Sequence, residues 1–415
     1  MKTKPTYTSA GYKSSPLGPI PEDWEVKRLG DFSRFFSGGT PKSGNPLFYN
    51  GDIPFIRSGE INKDKTELFL SQKGVDNSSA KLVEKGDILY ALYGANSGQC
   101  SLSKIQGAIN QAILCIRPKA NKYYVMSVLQ LNKEHYYNSF LQGGQGNLSG
   151  EIVSNYRLAI PPIKEQERIC AVLQLWDTAI AKQTALIEKL TLRKRGLMQQ
   201  LLTGKKRLKG FEGEWKEVRL GETGTAYGGL VNKNKEDFEN GNAQFITYMN
   251  VFSNGKIDTD NLGQVRILPS EKQEQVQYGD IFFTVSSETP DEVGMASVLL
   301  NEVQNTYLNS FCFGYRLNDF KTIVPVYASY LFRGDDFRKK MYKIAQGSTR
   351  FNISKTEVLN MRITIPSTDE QNAIASVLVN ADKEIELANK KLARLQEEKR
   401  GLMQVLLTGK KRVKK

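Results

Sequence analysis

Two stretches of the chain carry apolar residues at alternating steps of four and three positions, with charged residues between them. A sustained repeat of this kind is typical of a helix that packs against another helix along one stripe. The first stripe contains Ile169, Leu173, Trp176, Ile180, Ile187, Leu190, Leu197 and Leu201. The second contains Ile374, Leu378, Ile385, Leu392, Leu395, Leu402 and Leu406. The pattern predicts two long helices, each roughly 55 Å in length at 1.5 Å per residue.

Residues at both ends of each stripe are typical of helix boundaries. A Pro-Pro pair precedes the first helix, and Ser367 with Glu370 has the spacing of a capping box before the second. Gly204 and Gly409 follow the last apolar positions, and a Lys-Lys-Arg run comes directly after each glycine. Glycine and basic residues are favoured at the carboxyl end of a helix.

The best partner for each predicted helix is the other one. The first helix carries the chain out of one globular region, so a second helix packed beside it must run back. We therefore expect an antiparallel coiled coil. Large Trp176 beside small Ala381, and Gln183 beside Ala388, are the pairs that this arrangement suggests.

The helices belong to a repeat that extends over most of the chain. Thirteen of fifteen residues are identical between RGLMQQLLTGKKRLK from Arg195 and RGLMQVLLTGKKRVK from Arg400, which lie 205 positions apart. The match continues upstream in the same register. Near the start of each half, DWEVKRLGD from Asp23 resembles EWKEVRLGE from Glu214. A divergent tandem duplication explains this pattern.

The repeat predicts two mixed domains, each followed by a helix. The fold class is α/β (α+β) globular domains in tandem, separated by two long antiparallel coiled-coil helices, as a pseudo-twofold cyclic repeat. The order is cyclic because the continuation missing after the second helix, GPIPEDW from Gly18, stands near the N-terminus. We therefore expect the termini to lie close together. The predicted bounds are a first domain over 1–163, which includes segment 1–22, a helix over 164–209, a second domain over 210–367 and a helix over 368–415.

Shorter patterns predict the elements inside each domain. FIRSGEI, DILYAL, FITYMNV and DIFFTV have the composition of strands, and the segments from Tyr123 and from Pro325 have that of helices. Asp87 and Asp280 recur at matched positions before two of these strands. We interpret them as turn residues rather than catalytic carboxylates.

Charge and composition narrow the class of protein. The chain has 58 Lys and Arg against 44 Asp and Glu, and the resulting net charge of +14 favours an anionic partner over a merely basic surface. No apolar run has the length of a membrane span, and the N-terminus lacks the apolar segment of a signal peptide. Four cysteines without paired spacing indicate reduced thiols. We expect a cytoplasmic protein with no membrane contact.

Candidate catalytic chemistry is scarce in the sequence. His135 is the single histidine, so neither a catalytic triad nor a histidine-bearing metal site can be assembled. The sequence has no nucleotide phosphate loop of the GxxxxGK[ST] type. The glycine-rich GGQGNLSG corresponds to GSTRFNIS in the second half, which favours a loop over a phosphate cradle.

The blocks LAIPPIKEQERI…LLTGK and ITIPSTDEQNAI…LLTGK, with PEDWEVKRLGD and GGTPKS, resemble the DNA-specificity subunit of Type I restriction–modification enzymes. The resemblance covers nearly the whole chain, and the duplicated arrangement is its strongest feature. It implies two target-recognition domains, each of which reads one half of a bipartite site in double-stranded DNA. It also implies that the helices set the spacing and dock two modification (adenine methyltransferase) subunits and the restriction (translocase/endonuclease) subunits.

The resemblance further implies a subunit that is not an enzyme, with no catalytic residues, no metal ligands and no cofactor of its own. S-adenosylmethionine, ATP and Mg are expected on the partner subunits. A specificity subunit of a related restriction–modification system and a DNA-free structural adaptor remain as alternatives. A nuclease or methyltransferase acting alone would need a catalytic cluster that the sequence does not offer.

The loops differ between the halves while the frame repeats, as expected of two domains that read different sequences, although loops of a duplicated protein diverge in any case. Arg57 is a candidate for a guanine contact, and Lys42, Lys233, Lys235 and Arg350 are candidates for phosphate contacts. The predicted DNA-binding residues of the first half are Thr40, Lys42, Arg57, Ser58, Glu60, Asn96 and Gln145. Those of the second half are Lys233, Lys235, Thr247, Tyr248, Asn250, Ser286, Ser287, Thr349 and Arg350.

Overall fold

The computed structural model describes residues 11–140 and 147–413. The chain forms two compact units, of which the first is Met1–Thr184 with Lys390–Lys415 and the second is Ala185–Asn389. The chain has two helices of 39 residues, Ile163–Leu201 and Thr368–Leu406. One part of each helix belongs to the first unit and the other part to the second. Each unit therefore combines one mixed domain with parts of both long helices.

The first unit contains mostly short strands and helices besides the long ones. Its strands are Tyr12–Lys13, Ile20–Pro21, Glu25–Arg28, Ser33–Ser37, Tyr49–Ile56, Leu68–Leu70, Lys81–Val83, Ile88–Ala91, Cys100–Leu102, Gly107–Ile109, Ile113–Pro118 and Arg157–Ile160. Its short α-helices are Gln72–Asp76, Lys122–Leu131, Lys133–Phe140 and Gly150–Ser154, and its 3-10 turns are Leu29–Asp31, Pro46–Phe48 and Ser58–Glu60.

The second unit repeats this plan with different loops. Its strands are Lys216–Arg219, Gly224–Gly228, Ala243–Ile246, Gly263–Val265, Ile281–Thr284, Ser286–Ser287, Ala296–Val298, Thr306–Leu308, Cys312–Leu317, Phe351–Asn352 and Arg362–Ile365. Its short α-helices are Leu220–Thr223, Tyr248–Ser253, Pro325–Leu331, Asp335–Ile344 and Lys355–Asn360, and its 3-10 turns are Lys235–Phe238 and Pro290–Glu292.

The two units share their main sheet and the parallel pair of a second sheet, which has four strands in the first unit and three in the second. Each unit has a four-stranded antiparallel sheet in which the long strand Ile113–Pro118, or Cys312–Leu317, lies second in the order. Each also has a second sheet that contains one parallel strand pair. The duplication seen in the sequence is therefore a duplication of the fold.

Four predicted elements differ from the structure. The strand expected over FIRSGEI ends at Ile56, before the 3-10 turn Ser58–Glu60, and the helix expected from Tyr123 is two helices, Lys122–Leu131 and Lys133–Phe140. The strand expected over FITYMNV ends at Ile246, because the Thr247 hydroxyl accepts a hydrogen bond from the Asn250 N–H at 3.2 Å and starts a helix. The helix expected from Pro325 is two helices, since the chain turns at Gly334 before the second begins.

The ends of the long helices follow the sequence signals. The Ser367 hydroxyl accepts a hydrogen bond from the N–H of Glu370 at 3.4 Å. Gly204 has a φ of 69° and Gly409 a φ of 71°, which is the left-handed conformation that favours glycine after a helix.

The long helices pair antiparallel within each unit. In the first unit, Lys399 Nζ lies 2.5 Å from Asp177 Oδ1. In the second unit, the corresponding Lys194 Nζ lies 2.5 Å from Asp382 Oδ1. The expected contact of Trp176 with Ala381 is wrong in register, because the Asp177–Lys399 pair puts Trp176 level with position 400.

The predicted seam residues share one side of their helices. The structure buries Ile169, Leu173, Leu201, Ile374, Leu378 and Leu406, and half-buries Trp176, Ile180, Ile187, Leu190, Leu197, Ile385, Leu392, Leu395 and Leu402. Leucines outside the stripe, such as Leu175 and Leu387, are exposed. The 4-3 repeat therefore separates the leucines that pack from those that face solvent.

A buried carboxylate near the start of the first long helix holds the end of the chain. Glu165 accepts hydrogen bonds from Arg412 Nε at 2.5 Å and Nη2 at 2.6 Å, and from Trp24 Nε1 at 3.0 Å. The hydroxyl of Tyr12 donates to the carbonyl of Gly409 at 2.9 Å. The C-terminal segment therefore completes the N-terminal domain, as the cyclic order predicts.

The same contact recurs in the second unit, where the chain is continuous. Glu370 accepts from Arg207 Nε at 2.6 Å and Nη2 at 2.7 Å, and the Arg207 guanidinium lies 5.8 Å from the centre of the Trp215 ring. The glutamine that follows each glutamate is also used twice. Gln166 and Gln371 both bond a backbone N–H of the adjoining loop, at 2.9 Å in each unit.

The paired aspartates stabilise turns, as the sequence indicated. Asp87 and Asp280 are buried, and each accepts a hydrogen bond from the backbone N–H three residues earlier, at 2.9 and 2.8 Å. Arg117 pairs with Asp87, and Arg316 pairs with Asp280. Burial acts to raise the pKa of Asp87, but hydrogen bonds from Arg117 and Lys122 outweigh it and lower the pKa to about 2.

The ion pairs Glu165–Arg412 and Glu370–Arg207 should each stabilise the unit that contains them. We expect Arg412→Met to cost about 3 kcal/mol because it leaves the Glu165 carboxylate buried without its cation. Arg207→Met should destabilise the second unit in the same direction, through Glu370. Unfolding in urea measures the loss. Arg394→Met is the control, since Arg394 and Glu398 pair on the surface and a pair exposed to solvent contributes little to stability. Equal effects of all three variants would contradict the assignment.

A circular permutant should fold. The contacts of Tyr12 and Arg412 bring both chain ends into one unit, while Gly210 lies in an exposed turn between a helix and a strand. Joining the C-terminus to the N-terminal segment by a short linker and opening the chain near Lys209 should preserve the hydrogen-exchange protection of both long helices. A soluble permutant that loses this protection would argue against the cyclic arrangement.

Candidate nucleic-acid interface

Five predicted residues of the second unit converge on one groove. The strand Ser286–Ser287 pairs antiparallel with Phe351–Asn352, and this pairing brings Thr349 and Arg350 beside the serines. The groove they border has a volume of about 820 Å³, and Tyr248 lies along it. Segments that are distant in the sequence therefore form one surface.

Hydrogen bonds fix the polar side of this groove. The Tyr248 hydroxyl donates to the carbonyl of Ser286 at 2.9 Å, and burial raises the pKa of this tyrosine. Arg350 Nη2 donates to the Ser286 hydroxyl at 3.1 Å. Arg350 and Thr349 are exposed. The groove thus presents a guanidinium and a hydroxyl at its edge.

Two apolar side chains at the groove are not among the predicted residues. Met249 is 59 % exposed and Phe311 is 57 % exposed, and both line the groove. Phe311 takes the place that Ala112 has in the first unit, since both residues donate a backbone N–H to the asparagine two positions earlier, at 2.8 and 3.1 Å. The sequence did contain a sign of this groove residue, because the second half has an aromatic residue where the first half has a small one.

The carboxylates of Glu288 and Glu292 also line the groove. A groove that combines one guanidinium, hydroxyls, carboxylates and apolar surface is poorly suited to a phosphate, because the carboxylates repel it. The same groups match the donors, acceptors and methyl groups of base edges.

The structure brings together four predicted residues of the first unit but gives two of them another role. A Cβ atom on Gly59 would lie 3.6 Å from Asn96 Nδ2, so the turn that carries Arg57, Ser58 and Glu60 lies against the loop of Asn96. Ser58 and Asn96 are half-buried.

Glu60 is a structural residue of this turn. It is 4 % exposed and accepts hydrogen bonds from Arg57 Nε at 3.1 Å and from the Glu67 N–H at 3.0 Å. Burial acts to raise its pKa, but Arg57 and the backbone N–H groups lower the pKa below the ordinary value. Arg57 is paired with both Glu60 and Glu67. Both side chains are engaged in contacts within the turn, and the base contacts expected of them stay predictions.

Lys233 and Asn250 hold loops together in the second unit. The Lys233 side chain is 4 % exposed and its Nζ lies 2.5 Å from Glu271 Oε2, which does not fit the expected phosphate contact. Asn250 is buried and its Nδ2 donates to the carbonyls of Asp258 and Asn261 at 2.8 and 3.0 Å. The sequence offers no signal that separates these residues from exposed ones of the same type.

The remaining predicted residues lie elsewhere. Thr40 and Lys42 are exposed in the first unit, and the Thr40 hydroxyl donates to Gln111 Oε1 at 2.7 Å. Lys235 is exposed in the second unit, whereas Thr247 caps a helix. Gln145 is outside the described residues.

Other chemistry is sparse over residues 11–140 and 147–413. No group of His, Cys, Asp or Glu there has the geometry of a metal site. The four thiols are buried, and burial raises the pKa of each to about 12. No helix in this part of the chain has the length and apolarity needed to cross a membrane.

Comparison with known proteins agrees with this architecture. The chain is 27 % identical over 429 residues to the MjaVIII specificity subunit, a Type I restriction enzyme subunit of Methanocaldococcus jannaschii, with 98 % of this chain and 97 % of that one covered. It is 25 % identical over 165 residues to the EcoR124I/EcoR124II specificity subunit of Escherichia coli, with 37 % of this chain and 41 % of that one covered.

Solved structures share the fold. The S subunit of a Type I restriction–modification system from M. genitalium matches with a TM-score of 0.53 at 14 % identity, over 92 % of this chain and 96 % of that one. A chain from a study of complex assembly and conformational transition in the type I R-M system matches with a TM-score of 0.62 at 16 % identity, over 94 % and 99 %.

The family model described as Type I restriction modification DNA specificity domain matches the chain twice, over residues 21–192 and 212–397. These two matches cover both mixed domains and most of both long helices. The chain therefore belongs to the Type I restriction–modification DNA specificity family.

Proposed function

We propose that the chain is the DNA sequence-specificity subunit of a Type I restriction–modification enzyme, and that each domain reads one half of a bipartite duplex target. The observation that carries this proposal is the double match of the family model to two units with one fold and different loops. A net charge of +14 supports a nucleic-acid partner.

The groove of Tyr248, Ser286, Ser287, Thr349 and Arg350 is the reading surface of the second domain in this proposal. Arginine donors match guanine, hydroxyls accept or donate to several bases, and an apolar side chain can contact the methyl group of thymine. The exposed Met249 and Phe311 are suited to that last contact.

The first domain would use a different set of groups. Thr40, Lys42 and Gln111 are exposed, and Ser58 and Asn96 are half-buried where two other loops meet. Because Arg57 and Glu60 neutralise each other, this surface differs in charge from the groove of the second domain. Two unlike surfaces on one frame are what two unlike half-sites require.

The chain acts in this proposal without catalysing a reaction. Modification and restriction subunits would supply methyl transfer and cleavage, with S-adenosylmethionine, ATP and Mg bound to them. The long helices would set the distance between half-sites and dock the partners. The exposed Leu175, Leu186, Leu192 and Leu387 are apolar side chains outside the seam that a partner subunit would cover.

Exchanging one domain should change one half-site. We expect replacement of residues 210–360 by the matching region of a relative to alter the bases read in one half and leave the other half and the gap unchanged. Methylome sequencing of a host that carries the chain with its modification partner measures this. Altered bases in both halves would show that the domains do not read independently.

Arg350→Ala should relax recognition at single positions of one half-site, by about 1–3 kcal/mol if its guanidinium contacts a guanine. Lys233→Met is the comparison, because Lys233 is a buried loop contact and should lower stability without changing sequence preference. Binding of the partner complex to duplexes with single substitutions measures both. If Arg350→Ala weakened every duplex equally and flattened the salt dependence, Arg350 would contact phosphate instead.

A further inference from the structure

A second concave site lies within the second unit, and the end of the helix Tyr248–Ser253 borders it. Its volume is about 430 Å³, and it is bordered by the first long helix, the loop 253–256 and the helix Pro325–Leu331. Among the described residues that line it are three cations, Lys194, Lys256 and Arg333, and one carboxylate, Asp382. Positive charge therefore exceeds negative charge inside a partly enclosed space.

Asp382 already has partners on both of its oxygens. Lys194 Nζ lies 2.5 Å from Oδ1, while the Tyr330 hydroxyl donates to Oδ2 at 2.6 Å. Lys256 Nζ is 3.8 Å from Oδ2 and donates to the Tyr330 hydroxyl at 3.1 Å. The Asp382 carboxylate thus faces two ammonium groups. It forms a close ion pair with Lys194 and lies farther from Lys256.

The charge on Lys256 is compensated in part, by Asp382 at 3.8 Å and by the Tyr330 ring, whose centre lies 5.0 Å from Nζ. Burial lowers its pKa below the ordinary value, against the effect of Asp382, and the nearby Lys194 and Lys383 lower it further. Its side chain remains 37 % exposed. The ammonium group can therefore reach a ligand in the pocket.

Arg333 adds a third positive charge. Its guanidinium donates to the carbonyls of Ala296, Val251 and Phe252 at 2.6, 2.8 and 2.8 Å, which carry only partial charges. Burial lowers its pKa to about 10. The guanidinium is oriented by the protein but not neutralised.

The first unit has a neutral side chain at the position of Arg333. There Lys399 pairs with Asp177 at 2.5 Å, as Lys194 pairs with Asp382. Gln130 Nε2 donates to the carbonyl of Cys100 at 3.0 Å, which is the contact that Arg333 makes with Ala296 at the start of the matching strand. A neutral side chain is sufficient to hold this strand. In the second unit Arg333 also binds two carbonyls at the end of the helix Tyr248–Ser253, and among the described residues its charge has no carboxylate partner.

We propose that the pocket bordered by Lys194, Lys256 and Arg333 binds a phosphate-class oxyanion. The source is either a free phosphate, as inorganic phosphate or a phosphate ester, or a backbone phosphate of DNA. Guanidinium and ammonium groups are the usual protein ligands of phosphate. The pocket binds the anion because two positive charges are left after Asp382 is paired, in surroundings where partial burial strengthens their attraction.

Calorimetric titration of the full chain with inorganic phosphate tests the proposal. Lys256→Gln should weaken binding at least tenfold, and so should Arg333→Gln, which introduces the residue type of the first unit. Asp382→Asn should tighten binding severalfold, because it removes the competing carboxylate. Lys272→Gln is the matched control, since Lys272 is an exposed lysine of the same unit outside the pocket, and it should leave binding unchanged.

The outcomes are distinct. Absence of phosphate binding, or equal binding by the Lys256, Arg333 and Lys272 variants, would overturn the proposal. If Lys256→Gln fails to fold, the Asp382→Asn variant decides. Tighter phosphate binding by this variant supports the proposal, because a damaged fold cannot increase affinity. Unchanged phosphate binding by this variant contradicts the proposal. A duplex without a target site, added at saturation, identifies the source. Displaced phosphate indicates a DNA backbone phosphate, and retained phosphate indicates a free oxyanion.

Discussion

The structure depends on one buried carboxylate at the start of each long helix. Glu165 and Glu370 each pair with an arginine that follows a Gly-Lys-Lys run, Arg412 in one unit and Arg207 in the other. A buried carboxylate is costly unless a cation and further donors satisfy it. Each unit must therefore recruit the end of a long helix that begins in the other domain's sequence, and in the first unit that segment is the end of the chain. The cyclic order of motifs is the consequence.

The same constraint explains which residues repeat between the halves. The Glu-Gln pairs, the seam lysines and the aspartates before the central strands all make internal contacts at matched distances in both units. The residues at the groove are not repeated in this way. Phe311, for example, takes the position that Ala112 has in the first unit. A frame held by buried ion pairs can carry different surfaces, which suits two readers of unlike sequences.

Charged and polar residues were the least predictable part of the candidate site. Lys233 and Lys235 are two positions apart in one loop, yet the side chain of one is buried against Glu271 and that of the other is exposed. Glu60 and Asn250 were expected at the surface but are buried. Glu60 accepts hydrogen bonds within its turn, and Asn250 donates hydrogen bonds to two loop carbonyls. In each case the decisive partner is another loop segment or a backbone group, whose position a local pattern does not reveal.

The sequence by itself determined the two long helices, their ends, the duplication and its cyclic order, because these follow from local periodicity, capping residues and self-comparison. Tertiary structure alone decided the rest. Tyr248, Ser286 and Arg350 form one groove only because the strand Ser286–Ser287 pairs with Phe351–Asn352. Lys194, Lys256 and Arg333 share one pocket only because a helix, a loop and a second helix pack together. Exposure and charge balance depend on partners distant in the chain, and spacing along the sequence does not specify them.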